Sequence, residues 1–130
     1  MMNKKWIKSN TFHHSAFKDI GRLVAEKQRK ELTISLCFPT LNEERTIAKE
    51  IIIMKSELMI RYPLLDEIVV IDSGSTDKTR DIARSYDVNV HEADMILPHL
   101  ETFKGKGENL WKALYVTRGD IVVYLSLIHI

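Results

Sequence analysis

The chain has 130 residues, 45% hydrophobic and 28% charged, a composition that suits one soluble globular domain with a single real core. Its 19 basic and 18 acidic residues leave a net charge of +1, whereas a nucleic-acid or membrane surface would need a clear basic excess, so neither partner is expected. The single cysteine, Cys37, rules out an internal disulfide and fits a reducing, cytoplasmic setting.

The elements follow in chain order. Lys4, Lys5 and Lys8 form a small basic cluster without the apolar run and cleavage site of a signal peptide. "SAFKDIGRLVAEKQRKE" spaces Phe17, Ile20, Val24 and Lys27/Gln28 for an amphipathic helix, with Ser15 as its N-cap. The adjacent His13 and His14 read as a helix-start or interface pair, because two imidazoles aimed at one metal from a helix would stand at i, i+4. "LTISLCF" is a buried strand that Pro39 should halt, and Cys37 within it reads as a small buried hydrophobe. Asn42 then caps a helix with Glu43 and Glu44 in its first turn, and Ile47, Ile51, Met54 and Leu58 make its apolar stripe. The stretch "IAKEIIIMKSELMI" is broken by Lys49, Glu50, Lys55 and Glu57 and cannot span a bilayer.

"EIVVID" is a second buried strand, "SGSTD" a turn, and "DKTRDIARSYD" a helix. "VNVH" is a short strand, followed by a loop from Glu92 to about Phe103. "GKGENLWKALYVTRG" holds another helix, with Leu110, Trp111, Leu114 and Tyr115 as its buried side and Gly119 as its stop. "DIVVYL" is the last strand. Alternating strands and helices, with strands that are continuously apolar, predict an α/β fold with a mostly parallel sheet flanked by helices. Ligands bind such sheets beyond the carboxyl ends of the strands, which directs attention to "PTLNEE", "DSGSTD" and whatever follows "VVYL".

"PTLNEE" joins a strand end to a helix start, where free backbone N–H groups suit a polar ligand; equally, Asn42, Glu43 and Glu44 serve as a cap with favourable charges. In "DSGSTD", Asp72 can accept hydrogen bonds from a base or a ribose hydroxyl, and Gly74 permits a tight turn, although both are also ordinary turn formers. Lys106 stands between two glycines before a helix and suits a phosphate or diphosphate. The loop is not a Walker loop, and no G-x-G-x-x-G follows the first strand, which counts against a dinucleotide-dependent oxidoreductase.

"TFHHSAFKDIGRLV", "TISLCFPTLNEERTI", "EIVVIDSGSTDKT", "GKGENLWKAL" and "RGDIVVYL", in that order, resemble the N-terminal half of the glucosyl-3-phosphoglycerate synthases, retaining glycosyltransferases of the GT-A (Rossmann-like) fold. "PTLNEE" and "DSGSTD" point only to GT-A transferases in general; "FHHSAF" and "GKGENLW" carry the narrower likeness. The resemblance implies transfer of glucose from UDP-glucose to 3-phosphoglycerate with a divalent metal, Mg or Mn, in a cytoplasmic enzyme of a family that tends to form homodimers. Carried over by position, Pro39, Thr40, Leu41, Asn42 and Glu43 would hold the uridine, Asp72 and Ser73 would close on the base, and Lys106 would face the phosphates. The division implied is a helical segment over 1–30, a nucleotide-sugar-binding part over 31–125 and a tail over 126–130.

The family's last strand runs into Asp-x-Asp, whose carboxylates hold the metal against the diphosphate that leaves when the sugar–phosphate bond breaks. Here Ser126, Leu127 and Ile128 stand in its place, so no metal ligand and no catalytic residue is expected in this chain. "LSLIHI" reads as the translation of a transposon-end adapter used in sequencing libraries, which makes the tail non-native, the chain an N-terminal fragment truncated before the metal motif, and the fragment inactive. Two other readings stand beside this one. One is a GT-A transferase with a different sugar or acceptor, for example for cell-surface polysaccharide, and the other is a non-catalytic UDP-binding or interaction module.

Overall fold

Strand β1 (Ile34–Thr40) lies inside a four-stranded parallel sheet of order β3-β2-β1-β4, beside β2 (Glu67–Asp72) and β4 (Ile121–Tyr124), with β3 (Asn89–Glu92) outside β2. The computed structural model describes residues 3–103 and 105–127, with the side chain of Lys106 left undescribed. Leu36, Phe38, Ile68 and Val70 point to one face of the sheet, and Cys37, Val69 and Ile71 to the other. Helices α3 (Ile47–Lys55) and α4 (Thr79–Ser85) supply Ile47, Ile51 and Ala83 to the first face. Helix α5 (Lys106–Ala113) and the loop after β3 supply Ala113, Ala93 and Ile96 to the second. Both faces of β1 and β2 are therefore covered, which is why these strands read as unbroken apolar runs. Burial pushes the Cys37 thiol up to about 12, so it packs as a hydrophobe and is no nucleophile.

Pro39 does not halt β1, as the sequence suggests; the strand runs through it to Thr40, with Pro39 opposite Ile71 and Thr40 opposite Asp72. The reason is parity. Residues of a parallel strand turn their N–H and C=O alternately to either neighbour. The Cys37 carbonyl accepts from Leu125 on the β4 side, and Thr40 accepts from Ser73 on the β2 side. Pro39 thus turns toward β4, whose register with β1 ends at Tyr124, and its missing N–H breaks no ladder bond.

Helix α1 (Lys4–Ser9) forms in the polar start, with Asn3 as its N-cap. Ser15 is not the cap of the next helix. It lies in a 3₁₀ turn (His14–Phe17) that His13 caps, and helix α2 (Ile20–Arg29) begins at Asp19, which accepts the Arg22 amide at 3.1 Å. Val24 and Lys27 form the buried side of α2, while Phe17 and Gln28 are exposed. Lys27 reaches Asp66 at 2.6 Å and the Pro63 carbonyl at 3.3 Å, tying the helix beneath the sheet.

The apolar stripe of α3 is as expected: Ile47 and Ile51 are fully buried, and Met54 and Leu58 pack against them. Leu58 lies in a π-helical turn (Ser56–Arg61) that prolongs the helix. For α5 the face is reversed. Leu110, Leu114 and Tyr115 are exposed and Trp111 half-buried, whereas Asn109, Lys112 and Ala113 face inward. The buried Lys112 ammonium donates to the Ala93 carbonyl at 2.7 Å and to Thr102 at 2.9 Å, and stands 3.6 Å from Glu108. A polar residue with partners displaces the leucines from the inner face. Among the described residues no helix is long and apolar enough to cross a membrane.

Candidate nucleotide-binding site

The sheet order places β2 and β4 on opposite sides of β1, so the crossovers out of β1 and into β4 diverge there. A crevice opens at the carboxyl end of strands at such a switch point. It is a cavity of about 200 Å³ lined by Pro39, Thr40, Leu41, Glu43, Ser73, Gly105, Asn109 and Ser126. Pro39, Thr40, Leu41, Glu43 and Ser73 are thus brought together as the sequence reading places them. Asn42 and Asp72 are not among its lining residues, and the side chain of Lys106 lies outside the described residues.

Asn42 is not the cap of α3. That helix starts at Ile47 behind Thr46, which makes no side-chain capping bond. Asn42 instead adopts a left-handed backbone (φ 53°), a conformation its short polar side chain tolerates. Its Oδ1 accepts the Thr76 amide at 2.9 Å, and its own amide donates to Ser75 Oγ at 2.8 Å. The Glu43 amide donates to Thr79 Oγ1 at 2.8 Å, and the Glu44 amide to Asp77 at 3.2 Å. In return Glu44 accepts the Lys78 amide at 3.1 Å. The N–H groups expected to face a ligand are therefore spent on stitching the β1–α3 loop to the β2–α4 loop. Burial pulls the Asp77 carboxyl up, but hydrogen bonds from the Thr79 hydroxyl and amide and the Glu44 amide outweigh it and hold the group below its ordinary value.

Asp72 is wholly buried at the centre of this stitching. Its Oδ1 accepts from Thr40 Oγ1 at 2.9 Å and Ser75 Oγ at 2.5 Å, and its Oδ2 from the amides of Gly74 and Ser75 at 3.1 and 2.8 Å. Arg80, 3.7 Å away, balances the charge and also pairs with Glu92 on β3. The turn can close this tightly because Gly74 takes φ 87°. The carboxylate fixes the loop, and the next residue, Ser73, reaches the cavity.

Three participants escape a reading of the sequence. Ser75 and Thr79 look like turn and helix residues, yet they hold the partner loop. Asn109 looks like part of the outer face of α5, yet it is 1% exposed and lines the cavity. Its Oδ1 accepts from Ser73 Oγ at 2.8 Å and its Nδ2 donates to the Ile71 carbonyl at 2.9 Å. The only trace of this in the sequence is that Asn109, Lys112, Ala113 and Val116 share one helical face.

The end of β4 does not fit a divalent cation. Ser126 lines the cavity, Leu127 is 3% exposed in the apolar core, and Ile128 lies outside the described residues. Among the described residues no group of three or more His, Cys, Asp or Glu side chains could hold a metal ion.

A parallel sheet with an open crevice at its switch point, floored by two cross-stitched loops, defines a Rossmann-like domain of the GT-A type. The family model for glycosyl transferase family 2 matches residues 35–126, and the chain belongs to that family. It is 58% identical over 120 residues to a glucosyl-3-phosphoglycerate synthase of Petrotoga mobilis, covering 92% of this chain and 37% of the relative. A crystal structure of the Mycobacterium tuberculosis glucosyl-3-phosphoglycerate synthase, in complex with Mn²⁺, UDP and glucosyl-3-phosphoglycerate, superposes with a TM-score of 0.76 at 40% identity, over 89% of this chain and 39% of that one. The mannosyl-3-phosphoglycerate synthase of Rubrobacter xylanophilus superposes with a TM-score of 0.86 at 31% identity, over 93% and 39% of the two chains. The chain thus spans a little over a third of the length of these relatives.

Proposed function

We propose that these residues are the uridine-nucleotide-binding part of an enzyme that transfers glucose from UDP-glucose to 3-phosphoglycerate with retention of configuration. The observation that carries the reading is the switch-point cavity, where Pro39, Thr40, Leu41, Glu43 and Ser73 converge. The apolar Pro39 and Leu41 suit the faces of a base or ribose, and the Ser73 hydroxyl suits its polar edge. Asp72 and Asn42 act through the loops they hold. Lys106, at the start of α5, is proposed to meet the diphosphate.

In the whole enzyme Mg²⁺ or Mn²⁺ would stabilise the departing diphosphate. The described residues after β4 supply no carboxylate for it, so the 130 residues are proposed to bind the nucleotide without transferring sugar. A cytoplasmic setting agrees with the unpaired, buried Cys37, and the whole enzyme is proposed to be a homodimer.

The test is calorimetric titration of the chain with UDP, together with an assay for glucosyl-3-phosphoglycerate from UDP-glucose, 3-phosphoglycerate and Mn²⁺. UDP binding that is unaffected by chelator, with no product formed, is expected. Metal-dependent transfer by this chain would overturn the inactivity, and absence of UDP binding would overturn the site. The likeness to a mannosyl-3-phosphoglycerate synthase carries a second reading, the same acceptor with another sugar. Transfer of mannose in preference to glucose onto 3-phosphoglycerate by the full-length enzyme would favour it.

A further inference from the structure

We infer that Asn109 is a positioning residue that sets the hydrogen-bond polarity of Ser73, and so makes the cavity select uracil over cytosine; this rests on the uridine reading above. The deduction needs only donors and acceptors. The Ile71 carbonyl can only accept, so the amide group 2.9 Å from it must be the NH₂ of Asn109. That fixes the flip of the side chain and leaves Oδ1, which can only accept, facing Ser73 Oγ at 2.8 Å. The Ser73 hydroxyl proton is therefore committed to Asn109. Toward the cavity, which both residues line, Ser73 offers only lone pairs.

Asn109 cannot turn over. It is 1% exposed, and a flipped amide would set its oxygen against the Ile71 carbonyl and its NH₂ against a serine hydroxyl forced to reorient. The Ser73 backbone is pinned as well, its amide donating to the Thr40 carbonyl at 2.9 Å. An acceptor held in place at the base edge matches N3–H of uracil, a donor. Cytosine presents a bare N3 lone pair at the same position, and lone pair would face lone pair. A free serine hydroxyl would serve either base by rotating; Asn109 removes that freedom.

The test is calorimetric binding of UDP, CDP and 3-methyl-UDP to the wild-type chain and to N109A, N109D and S73A, with folding checked by thermal melting. The wild type should prefer UDP over CDP by about tenfold, the worth of one buried hydrogen bond made against one left unmade. In N109A the preference should fall to about twofold or less, because the hydroxyl turns freely. N109D should keep most of it, because a carboxyl oxygen still accepts from Ser73. S73A should abolish the preference, and N109A added to S73A should change it no further. An undiminished preference in N109A would overturn the proposal while leaving the uridine site standing. Failure of the wild type to bind UDP would overturn both. If N109A does not fold, the wild type decides: 3-methyl-UDP or CDP binding as tightly as UDP overturns the proposal, and weaker binding of both supports it.

Discussion

Asn42 and Thr76 sit on different crossovers, yet the Asn42 side-chain oxygen takes the Thr76 amide at 2.9 Å. Through that bond the loop leaving β1 is fastened to the loop leaving β2, and the cavity floor becomes one body. Substitution N42A should lower stability by about 1–2 kcal/mol, the cost of an unpaired amide and of a left-handed alanine. N42D keeps the acceptor and should cost least, and N42G should fall between. Urea denaturation of the three variants checks the order, and UDP affinity should fall in the same order.

Acid should loosen these connections. Asp77 is held below its ordinary value of 3.8 as described, and in Asp66 the Lys27 ammonium and the Ile34 amide outweigh the upward pull of burial. The Thr33 amide and hydroxyl hold Asp120 low in the same way. Carboxyls depressed in the fold bind fewer protons there than in the unfolded chain. Their contribution is complete above the ordinary value of 3.8 and is lost as pH falls through the lower folded values. Melting temperature should therefore fall steeply below about pH 4, after a smaller decline beginning below the ordinary 6.5 of His91, whose imidazole burial holds low. In D77N part of that fall should disappear. A melting temperature indifferent to acid down to about pH 2.5 would contradict this.

At the opposite end of the sheet, Gly119 packs directly on β1. A Cβ there would stand 2.5 Å from Ser35 Oγ and 2.6 Å from the Ser35 backbone nitrogen. G119A should cost about 1–3 kcal/mol and loosen β4, one of the two edge strands of the described sheet. S35A should not rescue it, because the backbone nitrogen remains; rescue would show that only the hydroxyl was in the way.

Much of the fold is legible in the sequence because burial on both faces leaves a plain signal. β2 has the limits its apolar run suggests, and α3 buries its expected stripe. The misreadings occur where a long-range partner overrides a local rule. Pro39 stays in β1 because its N–H side is unpaired, a property of the sheet and not of the residue. Asn42 forgoes its own helix for Thr76, whose proximity only the fold creates. The face of α5 was hidden because Lys112 is buried by the Ala93 carbonyl and Thr102, so hydrophobicity pointed to the wrong side. Of the site, the residues that end strands were visible as motifs, and Asn109 was not, since nothing local reveals that it meets Ser73.

Lys112 yields its own expectation. K112M should strip the Ala93 carbonyl of its strong charged donor, leaving it the Ile96 amide at 3.3 Å, and release the loop between Ala93 and Phe103 from α5. A loss of about 1–3 kcal/mol is expected, with faster proteolytic cleavage in that loop and UDP binding weakened through Gly105 and Asn109. Unchanged protease sensitivity would contradict the anchoring role.

The most direct test is to record backbone amide resonances of the isotopically labelled chain while UDP is added. A nucleotide in the switch-point cavity should move Leu41, Glu43, Ser73, Gly105 and Asn109 together and leave the base of the sheet around Glu67 and Gly119 still. No perturbation at saturating UDP, or perturbations centred on the far groove lined by His91, Met95 and Tyr115, would contradict the assignment of the site.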